Sequence, residues 1–175
     1  MMSFKDMMAY LAEVKSKNRD SLHPSGTYIA ANVSPVSRKA LDNWVSENNI
    51  PNPSEPKEYH TTVIYSRKGI PDVMNDSIPV PLTGKITGWK VFGTQVGGKC
   101  LVATVECQEL DDQHNRIRAE YGATHDFPEY QPHVTVSYNY GDGSVPKEIP
   151  SFPIVFSKIT MKPLDPDFVP PVKTK

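Results

Sequence analysis

EYHTTVIYS, residues 58–66, is the stretch that decides the fold, because it combines the alternation of a β-strand with a His-x-Thr motif. Side chains two positions apart on a strand point to the same face. We therefore expect His60, Thr62 and Ile64 on one face of this strand. The intervening residues are expected on the opposite face, so that the histidine and the threonine project together.

A second stretch, YQPHVTVSY at residues 130–138, repeats the motif. Here the alternation predicts an apolar face made by the intervening residues and a polar face made of His133, Thr135, Ser137 and Asn139. The apolar face suits packing against a helix, whereas the polar face requires water or a ligand. The two motifs therefore define two candidate half-sites.

The chain is organised around these strands as one unit that is used twice. Each motif strand follows a strand and a helix, and Ser34-Pro35 and Gly122 predict the start of the first helix and the end of the second. We predict an α+β domain with two pseudo-symmetric antiparallel-rich sheets that form a central cleft, with the helices outside. The predicted elements cover residues 27–33, 35–49, 59–66, 84–93, 100–107, 109–121, 132–140 and 153–161.

An additional amphipathic helix is predicted over residues 4–18, where apolar residues recur at helical spacing. We assign residues 1–25 to this helix and a linker, and residues 26–175 to a single domain. Two roles stay open for the helix. It could dock on the domain, or it could join copies of the chain into a homo-oligomer.

The composition excludes several classes of partner. With a net charge of −1 the chain lacks the excess of Lys and Arg that binding a long nucleic acid requires. No apolar run approaches the ~20 residues that span a membrane, and the N-terminus lacks a secretory signal. Cys100 and Cys107 would lie roughly 23 Å apart on one strand, too far for a disulfide. Unpaired cysteines favour a cytoplasmic protein.

Two histidines on two strands suit the cleavage of a phosphodiester bond, which needs one proton removed and another delivered. Histidine titrates near neutral pH, so one imidazole can act as the base and the other as the acid. The hydroxyls of Thr62 and Thr135 could donate to the non-bridging phosphate oxygens. We therefore predict His60, Thr62, His133 and Thr135 as catalytic residues, with no metal and no cofactor.

The other three histidines are expected to have no catalytic role. His114 falls on the apolar stripe of a predicted helix, which favours a structural, partly buried side chain. His23 and His125 fall in loops and are expected to be solvated. Their spacing matches no zinc-binding motif.

At the two motifs the chain resembles the two-histidine (2H) phosphoesterase superfamily, whose members carry His-x-Thr or His-x-Ser twice on pseudo-symmetric lobes. The resemblance covers about residues 26–163. Within the superfamily, GTYIA at residues 26–30 and both motif stretches are similar to the phage anti-CBASS nucleases. These enzymes destroy the cyclic oligonucleotide messengers of a bacterial antiviral system.

This resemblance also implies ligand contacts. Tyr28 would contact a nucleobase, and Trp89 is the match for an aromatic between the motifs. In the C-terminal segment Phe168, with Asp165 and Asp167, is a candidate. The strand alternation points Tyr28 away from the core, so its ring could stack on a base, although packing between sheets is the alternative.

The resemblance implies a metal-independent phosphodiesterase that hydrolyses 3′–5′ linkages of cyclic di- and trinucleotides such as cGAMP. The reaction would pass through attack of a ribose 2′-hydroxyl and a 2′,3′-cyclic phosphate, in the cytoplasm of the host bacterium. One alternative is an enzyme for linear 2′–5′ oligoadenylate or for RNA ends that bear a 2′,3′-cyclic phosphate. Another is a non-catalytic sponge for a cyclic nucleotide. The sequence leaves open which histidine is the base.

Overall fold

The computed structural model of the protein describes residues 3–8, 25–71, 77–93 and 98–164. Within these residues six strands form one antiparallel sheet in the order β2-β1-β6-β3-β4-β5. The elements are β1 (Thr27–Val33), α1 (Pro35–Glu47), β2 (His60–Ser66), β3 (Leu82–Gly93), β4 (Lys99–Glu106), α2 (Gln108–Tyr121), β5 (His133–Ser137) and β6 (Pro153–Pro163). The α+β class is therefore confirmed, with helix and strand bounds close to those predicted.

The helix ends follow the local chemistry of the sequence. The side chain of Ser34 accepts a hydrogen bond from the backbone N–H of Ser37 at 3.3 Å, and a proline opens the first turn of α1. Helix α2 ends at Gly122, which adopts a left-handed backbone with φ 70° and donates its N–H to the carbonyl of Arg118. Both caps are confirmed.

The two predicted sheets are joined into one. Strands β2, β1 and β6 form one half and β3, β4 and β5 the other, and the halves meet where β6 pairs with β3. The joined sheet curves until its two edge strands, β2 and β5, contact each other. The backbone N–H of His133 donates to Thr61 Oγ1 at 3.1 Å across this contact, which we call the seam. The cause of the difference is β6, which pairs with both β1 and β3.

Strand β2 carries a β-bulge directly after its motif. Its register with β1 passes from Ala30↔Thr62 to Ile29↔Ile64, which leaves Val63 as an additional residue. A bulge inserts one residue and reverses the facing of those that follow. Ile64 is consequently 0% exposed in the core, and our expectation that it shares a face with Thr62 is wrong.

Strand β5 carries the same feature at the same position of its motif. Its register with β4 passes from Val102↔Thr135 to Leu101↔Ser137, so that Val136 is the additional residue. Ser137 is fully buried and donates to the carbonyl of Pro51 at 2.7 Å, instead of joining the polar face as predicted. The matched bulges show that the pseudo-symmetry extends beyond the His-x-Thr triplets.

The hydrophobic core lies between one side of the sheet and the two helices. Helix α1 contributes Leu41 and Trp44, and α2 contributes Leu110 and Ile117. The opposite side of the sheet carries both His-x-Thr motifs, and we call it the motif face. Cys100 and Cys107 are buried and unpaired, in agreement with the prediction.

The N-terminal helix is described only in part. Residues 4–8 are helical, and the remainder of the predicted 4–18 helix lies outside the described residues. Phe4, Met7 and Met8 are exposed there. The division at residue 25 and the role of this helix stay predictions. None of the helices in the described ranges has the length and apolarity needed to cross a membrane.

Candidate active site

Each motif histidine is held by the backbone carbonyl two residues before it. Nδ1 of His60 lies 2.6 Å from the carbonyl O of Glu58, and Nδ1 of His133 lies 3.0 Å from the carbonyl O of Gln131. Because a carbonyl can only accept, Nδ1 is the protonated nitrogen in both rings. This leaves Nε2 of each ring available for proton transfer.

The electrostatic surroundings of His60 favour its neutral form. Burial lowers the pKa of His60, and the positive charges of Lys162 and His133 lower it further, against the opposing effect of the hydrogen bond to Glu58. A neutral imidazole with a free Nε2 can accept a proton at neutral pH.

Thr62 is oriented by Tyr28 of β1. The Tyr28 hydroxyl lies 3.1 Å from Thr62 Oγ1, and its ring meets His60 edge-on with centroids 6.3 Å apart. Burial raises the pKa of Tyr28, so the phenol stays protonated and can donate. The structure therefore brings together three of the residues predicted from the sequence.

The second half-site has its own aromatic residues. Tyr138 interacts through its hydroxyl with the Thr135 side chain, and burial raises the pKa of Tyr138 to about 12. Phe92 of β3 meets His133 edge-on, with ring centroids 5.8 Å apart, and is 41% exposed. Apolar and aromatic surface beside a polar centre is typical of small-ligand sites.

A layer of side chains behind β2 supports the first motif. The Tyr130 hydroxyl donates to the carbonyl of Thr62 at 2.7 Å, and Nδ1 of His114 donates to the carbonyl of Val63 at 2.7 Å. The rings of His114 and Tyr130 stack with centroids 3.9 Å apart. His114 is 1% exposed, which confirms the structural role predicted for it.

The remaining predicted residues are placed differently. Trp89 is 8% exposed, stacks on Trp44 of α1 at 4.6 Å and donates its indole N–H to the carbonyl of Glu148. Its ring and its donor are both engaged within the protein, which favours a structural role, and the ligand contact of Trp89 stays a prediction. His125 is half-buried and meets His114 edge-on at 4.7 Å, where a solvated side chain was expected.

Other candidates cannot be placed. Phe168, Asp165 and Asp167 lie outside the described residues, as does His23. Among the residues that the structure describes, no three His, Cys, Asp or Glu side chains gather in a way that could hold a metal ion. Metal independence stays a prediction.

Sequence reasoning missed Lys162 and Tyr130, which lie on the last strand and in a loop. It also missed a usable signal, because both motifs continue as His-x-Thr-Val-x-Tyr at residues 60–65 and 133–138. The bulge at each valine turns the following tyrosine, Tyr65 or Tyr138, back towards the motif face.

A curved antiparallel sheet with a His-x-Thr motif on each edge strand defines a 2H phosphoesterase-like fold. The solved structure of E. coli LigT in apo form is similar to this chain with a TM-score of 0.50 and 12% identity, over 77% of this chain and 84% of that one. E. coli LigT complexed with 3′-AMP gives a TM-score of 0.50 and 13% identity, over 78% of this chain and 86% of that one.

The family model described as Anti-CBASS protein Acb1 matches residues 25–170, and the chain belongs to this family. The Anti-CBASS protein Acb1 of Salmonella phage S16 is 36% identical over 141 residues, which cover 80% of this chain and 89% of the relative. That of Enterobacteria phage T4 is 35% identical over 150 residues, which cover 85% of this chain and 95% of the relative.

Proposed function

We propose that this chain is a phosphodiesterase that opens cyclic di- or trinucleotides at a 3′–5′ linkage, without a metal. The observation that carries the proposal is the matched pair of imidazoles at the seam, each fixed through Nδ1 and each with a threonine on the same face. Two titratable groups are needed for cutting a phosphodiester and not for merely holding one. The family to which the chain belongs supports a cyclic nucleotide as the substrate.

We take His60 as the base and His133 as the acid, a choice that the lowered pKa of His60 supports. His60 takes the proton of a ribose 2′-hydroxyl as its oxygen bonds to the adjacent phosphorus. The bond from phosphorus to the 5′-oxygen breaks, and His133 delivers a proton to that oxygen. The ring opens to a chain with a 2′,3′-cyclic phosphate end, which water can hydrolyse with the histidine roles reversed.

The threonine hydroxyls stabilise the charge that develops on phosphorus. Thr62 and Thr135 donate to the non-bridging oxygens, where fixed donors lower the barrier more than mobile water does. Tyr28 supports this role because its hydroxyl holds the Thr62 side chain in place. A base of the substrate would stack on the half-buried Tyr28 ring, a contact worth about 1–3 kcal/mol.

Cleavage of such a ring removes a messenger, which fits the anti-CBASS family name. We place the activity in the cytoplasm of the host bacterium, where such a messenger would act. The partner is then a small nucleotide and not a long nucleic acid or a membrane. This agrees with a net charge of −1.

The test is incubation of the protein with cyclic dinucleotides and trinucleotides, followed by chromatography of the products. Wild-type protein should give linear products, whereas His133→Ala protein should leave the ring intact. Activity should persist in EDTA, and a ring that lacks the 2′-hydroxyl at the cleaved linkage should be inert. Loss of activity in EDTA, or cleavage of the deoxy ring, would contradict this mechanism.

Linear 2′–5′ oligoadenylate and RNA fragments with a 2′,3′-cyclic phosphate belong in the same panel. Faster turnover of either one would replace the cyclic substrate in the proposal. Stoichiometric binding of an unchanged ring would indicate a sponge instead of an enzyme.

A further inference from the structure

The motif face beside His60 is a regular array of side chains from three neighbouring strands. Residues paired directly across antiparallel strands share a face, so the register fixes which side chains lie side by side. The three rows, read from β6 through β1 to β2, are Lys162-Tyr28-Tyr65, Thr160-Ala30-Thr62 and Lys158-Asn32-His60. Two of the three β6 positions in this array are therefore lysines.

These lysines flank the row that contains the motif threonine. They lie four residues apart on β6, about 13 Å along the strand, with Thr160 midway between them. Ala30, at the centre of the array, is a small residue between Thr160 and Thr62, and its neighbours cover it to 3% exposure. A ligand whose reacting phosphate contacts Thr62 would extend across this row towards β6.

The charge of Lys162 already acts within the site. Its Nζ lies 5.4 Å from the centroid of the Tyr28 ring, and Tyr28 is hydrogen-bonded to Thr62. Its positive charge also contributes to lowering the pKa of His60. Lys158 shares a row with His60, and Asn32 between them donates to the carbonyl of Lys158 at 3.4 Å.

Lys162 helps to keep His60 neutral, but Lys158 and Lys162 also place two positive charges on the face where an anionic ligand would bind. In the proposed mechanism the reacting phosphate is already contacted by two imidazoles and two hydroxyls. A cyclic dinucleotide carries a second phosphate on the far side of each ribose. The β6 lysines lie beside the motif row, on the same face, where such a group would be found.

We infer that Lys158 and Lys162 bind the phosphate that is not being cleaved, so that the site selects substrates with two phosphates over substrates with one. This inference rests on the proposed function and adds a determinant of specificity to it. Lysine suits the task because its ammonium acts as a compact charge on a long stem, which tolerates different ring sizes. The same contact would also accept a terminal phosphate on a linear dinucleotide.

The test compares three substrates with the same bases: a cyclic dinucleotide, a linear dinucleoside monophosphate, and that linear molecule with an added 5′-phosphate. Values of kcat/KM are measured at pH 8, where the effect of Lys162 on His60 protonation is minor. Lys158→Gln and Lys162→Gln should each lower the ratio of cyclic to monophosphate kcat/KM about tenfold. Lys39→Gln, an exposed lysine of α1 on the helix side, is the matched control and should preserve the ratio.

The third substrate separates the sources of the second phosphate. A drop shared by the ring and the 5′-phosphorylated linear molecule supports recognition of any second phosphate. A drop confined to the ring supports recognition of the phosphate only where the ring presents it. Unchanged ratios, or an equal loss on all three substrates, would overturn the inference.

Equilibrium binding decides the inference without turnover. In a His60→Ala background, adding Lys162→Gln should raise the Kd of the cyclic dinucleotide about tenfold and that of the monophosphate much less. Failure of the wild-type protein to cleave any ring would contradict the proposed function, while this measurement would still test the lysines. Equal changes in Kd for both ligands would show that the lysines do not recognise a second phosphate.

Discussion

Nδ1 of His114 lies 2.7 Å from the carbonyl oxygen of Val63, the residue that bulges from β2 directly after Thr62. A bulge removes backbone groups from the regular hydrogen bonding of the sheet, and a buried carbonyl without a partner is destabilising. His114 supplies that partner, and Tyr130 does the same for the carbonyl of Thr62. Helix α2 and the loop after it therefore hold the strand that carries the first motif.

Tyr130→Phe should lower both stability and catalysis. Loss of the donor to the Thr62 carbonyl should cost about 1–3 kcal/mol in the free energy of unfolding, because the carbonyl stays part-buried without a partner. It should also reduce kcat several-fold, since the Thr62 backbone is no longer fixed. Denaturant unfolding and steady-state kinetics measure the two effects. Tyr140→Phe removes a similar bond, to the carbonyl of Ser144, and should lower stability while leaving kcat intact.

His114 should make the protein less stable in mild acid. Burial lowers the pKa of His114 in the folded state, so the unfolded chain takes up a proton first as the pH falls below about 6.5. The contribution of His114 to the free energy of unfolding is fully present above that pH and declines below it. The maximum slope is about 1.4 kcal/mol per pH unit for one group. Urea unfolding at pH 7.5 and 5.5 measures the decline.

The control for this effect is His114→Asn, which keeps a side-chain donor near the Val63 carbonyl but cannot titrate. This variant should show a shallower decline, with the remainder due in part to His60, whose pKa is also lowered. An unchanged pH dependence in His114→Asn would exclude His114 as a source of the acid sensitivity.

Tyr28→Phe should lower kcat about five- to tenfold, because one neutral hydrogen bond to Thr62 is lost while the ring remains. KM should change little, since the surface available for stacking is preserved. Tyr65→Phe is the matched control, because Tyr65 lies next to Tyr28 with ring centroids 6.4 Å apart. Equal effects of the two substitutions would show that the Tyr28 hydroxyl has no special role.

His60→Ala and His133→Ala should each reduce kcat by about 10²–10⁴, the usual contribution of general acid–base catalysis. Both rings are half-buried on the motif face, so the melting temperature should shift only by a few degrees. Single-turnover kinetics with circular dichroism as the folding control measures this. Substantial activity in either variant would show that the remaining histidine suffices.

If His60 is the base, as proposed, the acidic decline of the pH–rate profile should lie below pH 6.5, because the pKa of His60 is lowered. Lys162→Gln removes a positive charge that disfavours protonation of His60, so this decline should move to higher pH. The profile of kcat/KM from pH 4.5 to 8 measures this shift. A decline that stays in place would show that Lys162 does not act on the titrating group.

Much of the fold could be predicted because its signals are local. The alternation in TYIAANV gives β1 directly, and the Ser34-Pro35 cap and Gly122 bound the helices through their own backbone chemistry. The two motif strands were visible for the same reason. The sequence therefore predicts which side chains share each half-site.

Alternation alone could not predict on which face of the sheet the side chains after each motif lie. A bulge depends on register with a partner strand, so Ile64 and Ser137 were expected on the wrong side. Trp89 shows a second limit, because a strand tryptophan has the same pattern whether it meets a ligand or Trp44 of a helix. Lys162 joins the site only through the pairing of β6 with β1.

The bond from the His133 backbone to Thr61 joins residues separated by 72 positions in the chain. Contacts between distant positions carry a large loop-closure cost and tend to form late in folding. An incompletely folded chain would hold each histidine on a separate piece and would have no activity. Under the proposed function, turnover would therefore be a stringent reporter of complete folding, because it requires the edge strands β2 and β5 to have met.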